Sequence, residues 1–153
     1  MDDRDRMNCE LDTGFGITIE EQNSNYYFEK YNVIERDIIM GIRIKDLKLN
    51  LSVIGYEYKI DRKMIDILCE DYRDRYVPIE VKRNSGDCKA LEQIINYIDL
   101  LNGIYGVLIA KNFTKRVIFE SKSYNVLLYQ YIITPNKYAD YDVILQKYMC
   151  NCD

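Results

Sequence analysis

The sequence predicts an α/β fold in which a mixed central sheet has helices on its faces. Short runs rich in β-branched and aromatic residues, typical of strands, occupy 51–58, 65–69 and 76–82. Residues 87–101 then carry apolar side chains at helical spacing, and the glycine-flanked apolar run 106–111 follows them. A strand–helix–strand succession normally closes as a right-handed parallel crossover. These patterns together indicate a sheet with antiparallel and parallel parts.

The residues ahead of the first predicted strand are less regular. Residues 1–15 are charged and aperiodic, so we expect a flexible arm, and 16–20 have the composition of a short strand. Between residues 26 and 40, apolar positions recur at roughly helical spacing, with Asn23 or Ser24 as a possible cap. We therefore expect a helix there, in one piece or two.

The strands at 65–69 and 76–82 are joined by the polar loop 70–75 and should form an antiparallel hairpin. Either Ser85 or Asp87 can cap the helix that follows.

Beyond residue 111 the pattern is weaker. It predicts a helix over 114–121, a final strand over 125–133 and a short helix over 142–149.

Size and composition fit one folded domain spanning residues 1–153. The chain is 48% hydrophobic and 30% charged, which is typical of a globular protein. It contains no apolar run near the length of a membrane span, and its N-terminus lacks the apolar segment of a signal peptide. We expect it in the cytoplasm, or in the host cytoplasm if a virus or plasmid encodes it.

The charge and the cysteine pattern exclude several functions. A net charge of −4 argues against a dedicated nucleic-acid coat, because phosphate neutralisation requires excess Lys and Arg. An enzyme that contacts DNA only around the scissile bond tolerates an acidic average. The absence of histidine excludes Ser-His-Asp and Cys-His mechanisms. The five scattered cysteines are expected to be free thiols rather than a zinc site.

Three charged residues form the one constellation that predicts chemistry. Glu80 and Lys82 project from the same face of a strand, and Asp66 lies on the neighbouring strand of the hairpin. With the Val81 carbonyl, the two carboxylates suit Mg²⁺ or Mn²⁺, which prefer oxygen ligands. Metal-dependent phosphodiesterases use this arrangement to hold a cation beside a lysine.

A plainer interpretation makes Glu80 and Lys82 the solvent face of an alternating strand. Two features weigh against it. Asp66 interrupts an apolar run, where an unpaired buried carboxylate costs several kcal/mol. In addition, Gln93 and Tyr97 lie four residues apart on one side of the next helix, although they too have an ordinary interpretation as a polar edge residue and a half-buried tyrosine.

Taken together, Asp66, Glu80-Val81-Lys82 and Gln93-x-x-x-Tyr97 resemble the PD-(D/E)XK nuclease superfamily. Within it the chain is most similar to the catalytic domain of NucS (EndoMS) and, more distantly, to RecB-type nucleases. The resemblance covers roughly residues 33–133. It implies a restriction-endonuclease-like sheet flanked by helices, with Asp66, Glu80 and the Val81 carbonyl as ligands of Mg²⁺ or Mn²⁺.

The same resemblance implies roles for the other residues. Lys82 would be the catalytic lysine, and Gln93 and Tyr97 would position the phosphate or the attacking water. The family usually adds an acidic residue from the first helix, for which Glu35 is our first choice and Glu29 the second.

We therefore expect a divalent-metal-dependent nuclease that hydrolyses phosphodiester bonds in DNA, as an endonuclease, with RNA and exonuclease activity as open alternatives. The competing hypothesis is a non-catalytic interaction module on a nuclease-like fold. NucS carries a DNA-binding domain ahead of its catalytic domain, for which only about 30 residues are present here. We therefore expect either a stand-alone nuclease or a domain that a separate DNA-targeting partner protein brings to DNA. A homodimer is also expected, through the final strand or the tyrosine-rich tail.

Overall fold

The structure, a computed structural model, describes residues 19–148. Eight strands are present in this range: β1 (Ser52–Ile60), β2 (Lys63–Glu70), β3 (Tyr76–Val81), β4 (Ser85–Gly86), β5 (Gly106–Ala110), β6 (Asn112–Phe113), β7 (Val126–Pro135) and β8 (Tyr141–Lys147). The α-helices are α1 (Ile19–Lys30), α2 (Glu35–Gly41), α3 (Cys88–Leu100) and α4 (Lys115–Glu120), with 3₁₀ turns at Ile44–Leu47 and Ser121–Tyr124. Among these residues, no helix is long and apolar enough to cross a membrane.

Six of the strands form one mixed sheet, in the order β1-β2-β3-β5-β7-β8. The first three are antiparallel neighbours, β3, β5 and β7 run parallel, and β8 pairs antiparallel with β7. The two-residue strands β4 and β6 form a separate parallel ladder, which the sequence did not predict. The predicted mixed sheet flanked by helices is confirmed.

Alternation along the central strands divides the core between the two faces of the sheet. On one face, Val81 and Ile109 pack beneath α1 and α2. On the other face, Leu108 packs against Ile94 of α3. Because successive side chains of a strand point to opposite faces, Glu80 and Lys82 share the α3 face, whereas Val81 belongs to the α1 face.

Helix α3 forms where the sequence predicted it. Its apolar stripe is buried against β3 and β5, and Asp87 is the N-cap, since its side chain accepts a hydrogen bond from the Ala90 amide at 2.9 Å. Its burial and its cap place one side of α3 directly over the strands that carry Glu80 and Lys82.

The expectation of a short strand at 16–20 is wrong for residues 19 and 20, which begin α1. Residues 16–18 and the predicted arm lie outside the described residues. The helix over 26–40 exists in two pieces, broken between Lys30 and Glu35. Ser24 is buried inside α1 rather than capping it, and its Oγ accepts a hydrogen bond from the Ile133 amide at 2.8 Å. The pairing of β5 with β7 ends at Gln130, so the Ser24 hydroxyl provides the Ile133 amide with an acceptor that β5 no longer offers.

The helix predicted over 142–149 is wrong for its described residues, because 142–147 form part of β8. Strand β7 also continues to Pro135 and is not the last strand. Asn136 closes the connecting turn, since its side-chain oxygen accepts the amides of Tyr138 and Asp140. With the chain reversed, Val143 is buried and its two neighbours are exposed, which is the two-residue period of a strand.

Of the two cysteines among residues 19–148, one differs from expectation. Cys69 is free, and burial raises its pKa to about 12, so this thiol is unreactive. Cys88, at the start of α3, is disulfide-bonded, so the expectation of a free thiol is wrong there.

The Ser24 hydroxyl should be a measurable part of the attachment of α1 to the sheet. Ser24→Ala leaves the Ile133 amide buried without an acceptor, and we expect it to lower the free energy of unfolding by about 1–3 kcal/mol. Ser52→Ala is the matched control, because Ser52 is exposed and its hydroxyl makes only a 3.4 Å hydrogen bond to Glu70. Urea unfolding followed by circular dichroism measures both variants, and equal losses would contradict the assignment.

Candidate active site

The site lies where β2 and β3 separate. Their pairing ends at Ile67 and Ile79, although β2 continues beside β1 as far as Lys63. In the gap, the Asp66 carboxylate accepts a hydrogen bond from the Val81 amide at 2.8 Å. A side chain thus replaces the backbone acceptor that a continuing ladder would have offered.

Asp66 and Glu80 form a buried acidic pair, with 6% and 2% of their surfaces exposed. Glu80 Oε2 is buried and accepts no hydrogen bond from an N–H or hydroxyl group. Burial, followed by the nearby charge of Asp66, raises the pKa of Glu80 to about 9. Burial also raises the pKa of Asp66, despite the Val81 amide. In the metal-free protein the pair therefore still holds, near neutral pH, a proton that isolated carboxyl groups would already have released.

The pair fits a small divalent cation. An unpartnered carboxylate oxygen facing a second carboxylate is a position that a cation would satisfy. Within residues 19–148, no three acidic or cysteine side chains cluster as metal ligands. Mg²⁺ and Mn²⁺ accept such a sparse set, because Mg²⁺ in particular keeps several waters and uses one or two carboxylates plus substrate phosphate. The Val81 carbonyl stays a predicted ligand.

Lys82 lies beside the acidic pair and is oriented from two sides. Its Nζ is 3.3 Å from Glu80 Oε1 and 2.9 Å from Gln93 Oε1. The side chain keeps 27% of its surface exposed, so Lys82 is accessible from solvent.

Gln93 and Tyr97 extend this contact into a chain of hydrogen bonds. Gln93 Nε2 donates to the Tyr97 hydroxyl at 3.0 Å, and that hydroxyl donates to the Met64 carbonyl at 2.8 Å. Tyr97 is buried rather than half-buried, with 4% of its surface exposed. The structure thus brings both predicted residues to the site, where they contact Lys82 and β2.

Glu35 reaches the same edge of the sheet from the opposite face. It is the first residue of α2, and its carboxylate accepts a hydrogen bond from the Arg83 amide at 3.3 Å. Its charge contributes to raising the pKa of Asp66, whereas the charge of Glu29 acts on Lys111. Of the two candidates on the first helices, Glu35 is therefore the one electrostatically linked to the acidic pair.

Two cations near the site were missed in the sequence. Arg83 and Lys111 both contact the ring of Phe28, with the Arg83 Cζ at 4.3 Å and the Lys111 Nζ at 4.4 Å from its centroid. A sequence signal existed, because each cation follows a buried strand and the two strands are parallel neighbours. Phe28 of α1 brings the two cations together, and its position could not be predicted from the sequence.

Curated relatives match part of this chain. The Endonuclease NucS of Corynebacterium diphtheriae is 30% identical over 95 residues, covering 56% of this chain and 41% of the relative. The Endonuclease NucS of Streptomyces griseus is 36% identical over 64 residues, covering 42% of this chain and 28% of the relative. The chain thus spans less than half the length of these relatives.

Among solved structures, a repair endonuclease from Pyrococcus abyssi has the same fold, with a TM-score of 0.51 at 19% identity. The match covers 75% of this chain and 48% of that one. Residues 34–128, which include every candidate side chain from Glu35 to Lys111, match the Endonuclease NucS C-terminal domain, and the chain belongs to that family.

Proposed function

We propose that this protein is a divalent-metal-dependent nuclease that hydrolyses phosphodiester bonds in DNA, as an endonuclease. One observation carries the proposal: the buried Asp66–Glu80 pair, with an unpartnered carboxylate oxygen, lies beside a lysine held at 2.9 Å by Gln93. Membership in an endonuclease family supports it. A silent interaction module is disfavoured, because burying two adjacent carboxylates costs stability and gives such a module nothing in return.

Each residue has a distinct task in this mechanism. Asp66 and Glu80 would hold Mg²⁺ or Mn²⁺. Such an ion, when bound, lowers the pKa of a coordinated water and polarises the phosphate. Lys82 presents its ammonium group to the substrate and offsets charge that develops on the phosphate oxygens. Gln93 and Tyr97 keep that ammonium group in place.

Glu35 would act from the opposite side of the edge as a further acid near the cation. A homodimer, a separate DNA-targeting protein and a cytoplasmic location stay predictions.

Removing either charge at the site should strongly reduce cleavage without unfolding the protein. For Glu80→Gln and Lys82→Ala we expect cleavage rates lower by about 10²–10³-fold or more, the usual effect of losing one preorganised charge or donor. Glu92→Gln is the matched control, since Glu92 is exposed on α3. The assay screens single-stranded, flapped, four-way and mismatched DNA, and RNA, with Mg²⁺ and with Mn²⁺. A wild-type protein that leaves every substrate intact would refute the proposed function.

Each residue of the hydrogen-bond chain behind Lys82 should matter less the farther it lies from the ammonium group. Gln93→Ala removes the direct acceptor of Lys82, and we expect a loss of about tenfold or more in kcat, because hydrogen bonds to charged groups contribute about 1.5–3 kcal/mol. Tyr97→Phe removes only the support of Gln93 and should cost less. Asn96→Ala, exposed on the same helix, is the control. A larger effect of Tyr97→Phe than of Gln93→Ala would contradict this order.

The acidic pair should make the metal-free protein less stable as pH rises. The folded protein keeps a proton on Glu80 between pH 4.5 and about 9, while the unfolded chain releases it. The unfolding free energy therefore falls with rising pH in this window, by at most about 1.4 kcal/mol per pH unit for one group. Thermal melts in EDTA measure the slope.

Two comparisons identify the source of this pH dependence. Glu80→Gln should flatten the slope, because the amide does not titrate, whereas Glu92→Gln should leave it unchanged. Mn²⁺ added to the wild type at alkaline pH should raise the melting temperature, since the cation binds the folded site preferentially. A wild-type curve that is flat in EDTA would contradict the buried-pair assignment.

A further inference from the structure

Arg83 and Lys111, here called the cation pair, are held at the carboxyl edge of the parallel strands. Arg83 Nε donates to the Val33 carbonyl at 2.9 Å, and the Tyr131 hydroxyl donates to the Arg83 carbonyl. The Lys111 amide donates to the Asn84 carbonyl at 2.9 Å. Both side chains then reach the same buried ring of Phe28. The two positive charges are thus placed by main-chain contacts on neighbouring strands.

The cation pair has little internal compensation. Among residues 19–148, neither side chain forms an ion pair with a carboxylate. Two acids act near the pair: the Glu35 carboxylate accepts a hydrogen bond from the Arg83 main-chain amide, and the charge of Glu29 on α1 acts on Lys111. Burial, followed by the charge of Arg83, lowers the pKa of Lys111. Two like charges held together at a partly exposed site are stabilised by an anion.

The cation pair borders the candidate active site. Lys82 and Arg83 follow the last residue of β3, and their side chains lie on opposite faces of the sheet, where Lys82 contacts Gln93 of α3 and Arg83 contacts Phe28 of α1. Glu35 lies between the cation pair and the acidic pair, because it contacts the Arg83 amide and its charge acts on Asp66. A polyanion lying across this edge meets Lys82 on one side and the cation pair on the other.

We propose that the cation pair is a phosphate-binding subsite for a second phosphate of the DNA strand, separate from the phosphate that is cleaved. The inference rests on the proposed function for the identity of the polyanion. An internal phosphodiester and a terminal 5′-phosphate share the chemistry that two cations recognise, and Arg is suited to bidentate contact with either.

Lys111→Gln is the decisive variant. Within residues 19–148 its side chain contacts the Phe28 ring and forms no hydrogen bond or ion pair, whereas Arg83 Nε also donates a hydrogen bond to the Val33 carbonyl. Binding of fluorescein-labelled single-stranded and duplex oligonucleotides is measured by fluorescence anisotropy in EDTA, apart from cleavage, over a salt series. We expect about tenfold weaker binding, and a plot of log K against log salt that is shallower by about 0.7 for single strands and 0.9 for duplexes. Lys111→Arg should restore the slope.

The matched control is Lys147→Gln, which removes the same charge from an exposed position on β8. Equal losses of affinity and slope in Lys111→Gln and Lys147→Gln would overturn the subsite, because net charge alone would then explain them. Thermal melts verify that both variants fold.

Oligonucleotides with one uncharged methylphosphonate locate the phosphate. In the wild type, one position should weaken binding, and in Lys111→Gln that position should no longer matter. If the sensitive group is instead the 5′-phosphate, replacing it by a hydroxyl should remove the difference between wild type and variant. If neither replacement removes the difference, the cation pair binds no single phosphate and the inference fails.

Failure of the subsite and of the proposed function are distinguishable. Binding that depends on Lys111 without cleavage under any metal would refute the nuclease and retain the subsite. If the wild type cleaves DNA and Lys111→Gln changes neither binding nor KM, the nuclease is retained and the subsite is refuted.

Discussion

The interruption of the sheet between β2 and β3 is the constraint on which the site depends. A ladder that continued past Ile67 and Ile79 would pair Val81 with backbone and leave no room for two carboxylates. Because β2 follows β1 instead, the Asp66 carboxylate takes the Val81 amide, and Glu80 is buried against it. Burial makes this pair unfavourable, and in the metal-free protein the proton that it retains removes one of the two charges. A bound cation would convert the repulsion into attraction.

The parallel crossover supplies the second requirement, an oriented ammonium group. Helix α3 must lie over β3 and β5 to bury its apolar stripe, and this packing carries Gln93 to within 2.9 Å of Lys82. Tyr97 is itself part of that apolar core, and its hydroxyl returns to β2 at Met64. The hydrogen-bond chain therefore spans the same gap that the acidic pair occupies. Core packing and the position of the lysine are set by one helix.

Elements with a long, regular pattern of apolar residues could be predicted from the sequence, and elements with a short or irregular pattern could not. Helix α3 and strand β3 have sustained periodicity and clear boundaries, so the set Asp66, Glu80, Lys82 and Gln93 was placed correctly on one edge. Strand β8 was missed because its apolar residues 143–145 are consecutive and do not alternate with polar ones, so its two-residue period shows only in the burial of the folded strand. Helix α1 was misplaced because a buried serine serves the sheet rather than a cap. The strand separation and the approach of Phe28 to two cations depend on tertiary packing, which no local pattern encodes.

The charge distribution explains how an acidic chain can act on a polyanion. The net charge is −4, yet the edge presents Lys82, Arg83 and Lys111 around the buried carboxylates. Such a focused positive region attracts phosphate locally while the remaining surface disfavours it. Two or three phosphate contacts give weak, salt-sensitive binding, because affinity scales with the number of phosphates neutralised. Tight or structure-selective recognition therefore requires further contacts, and a second copy or a separate DNA-binding protein would supply them by raising the effective concentration of DNA at this edge.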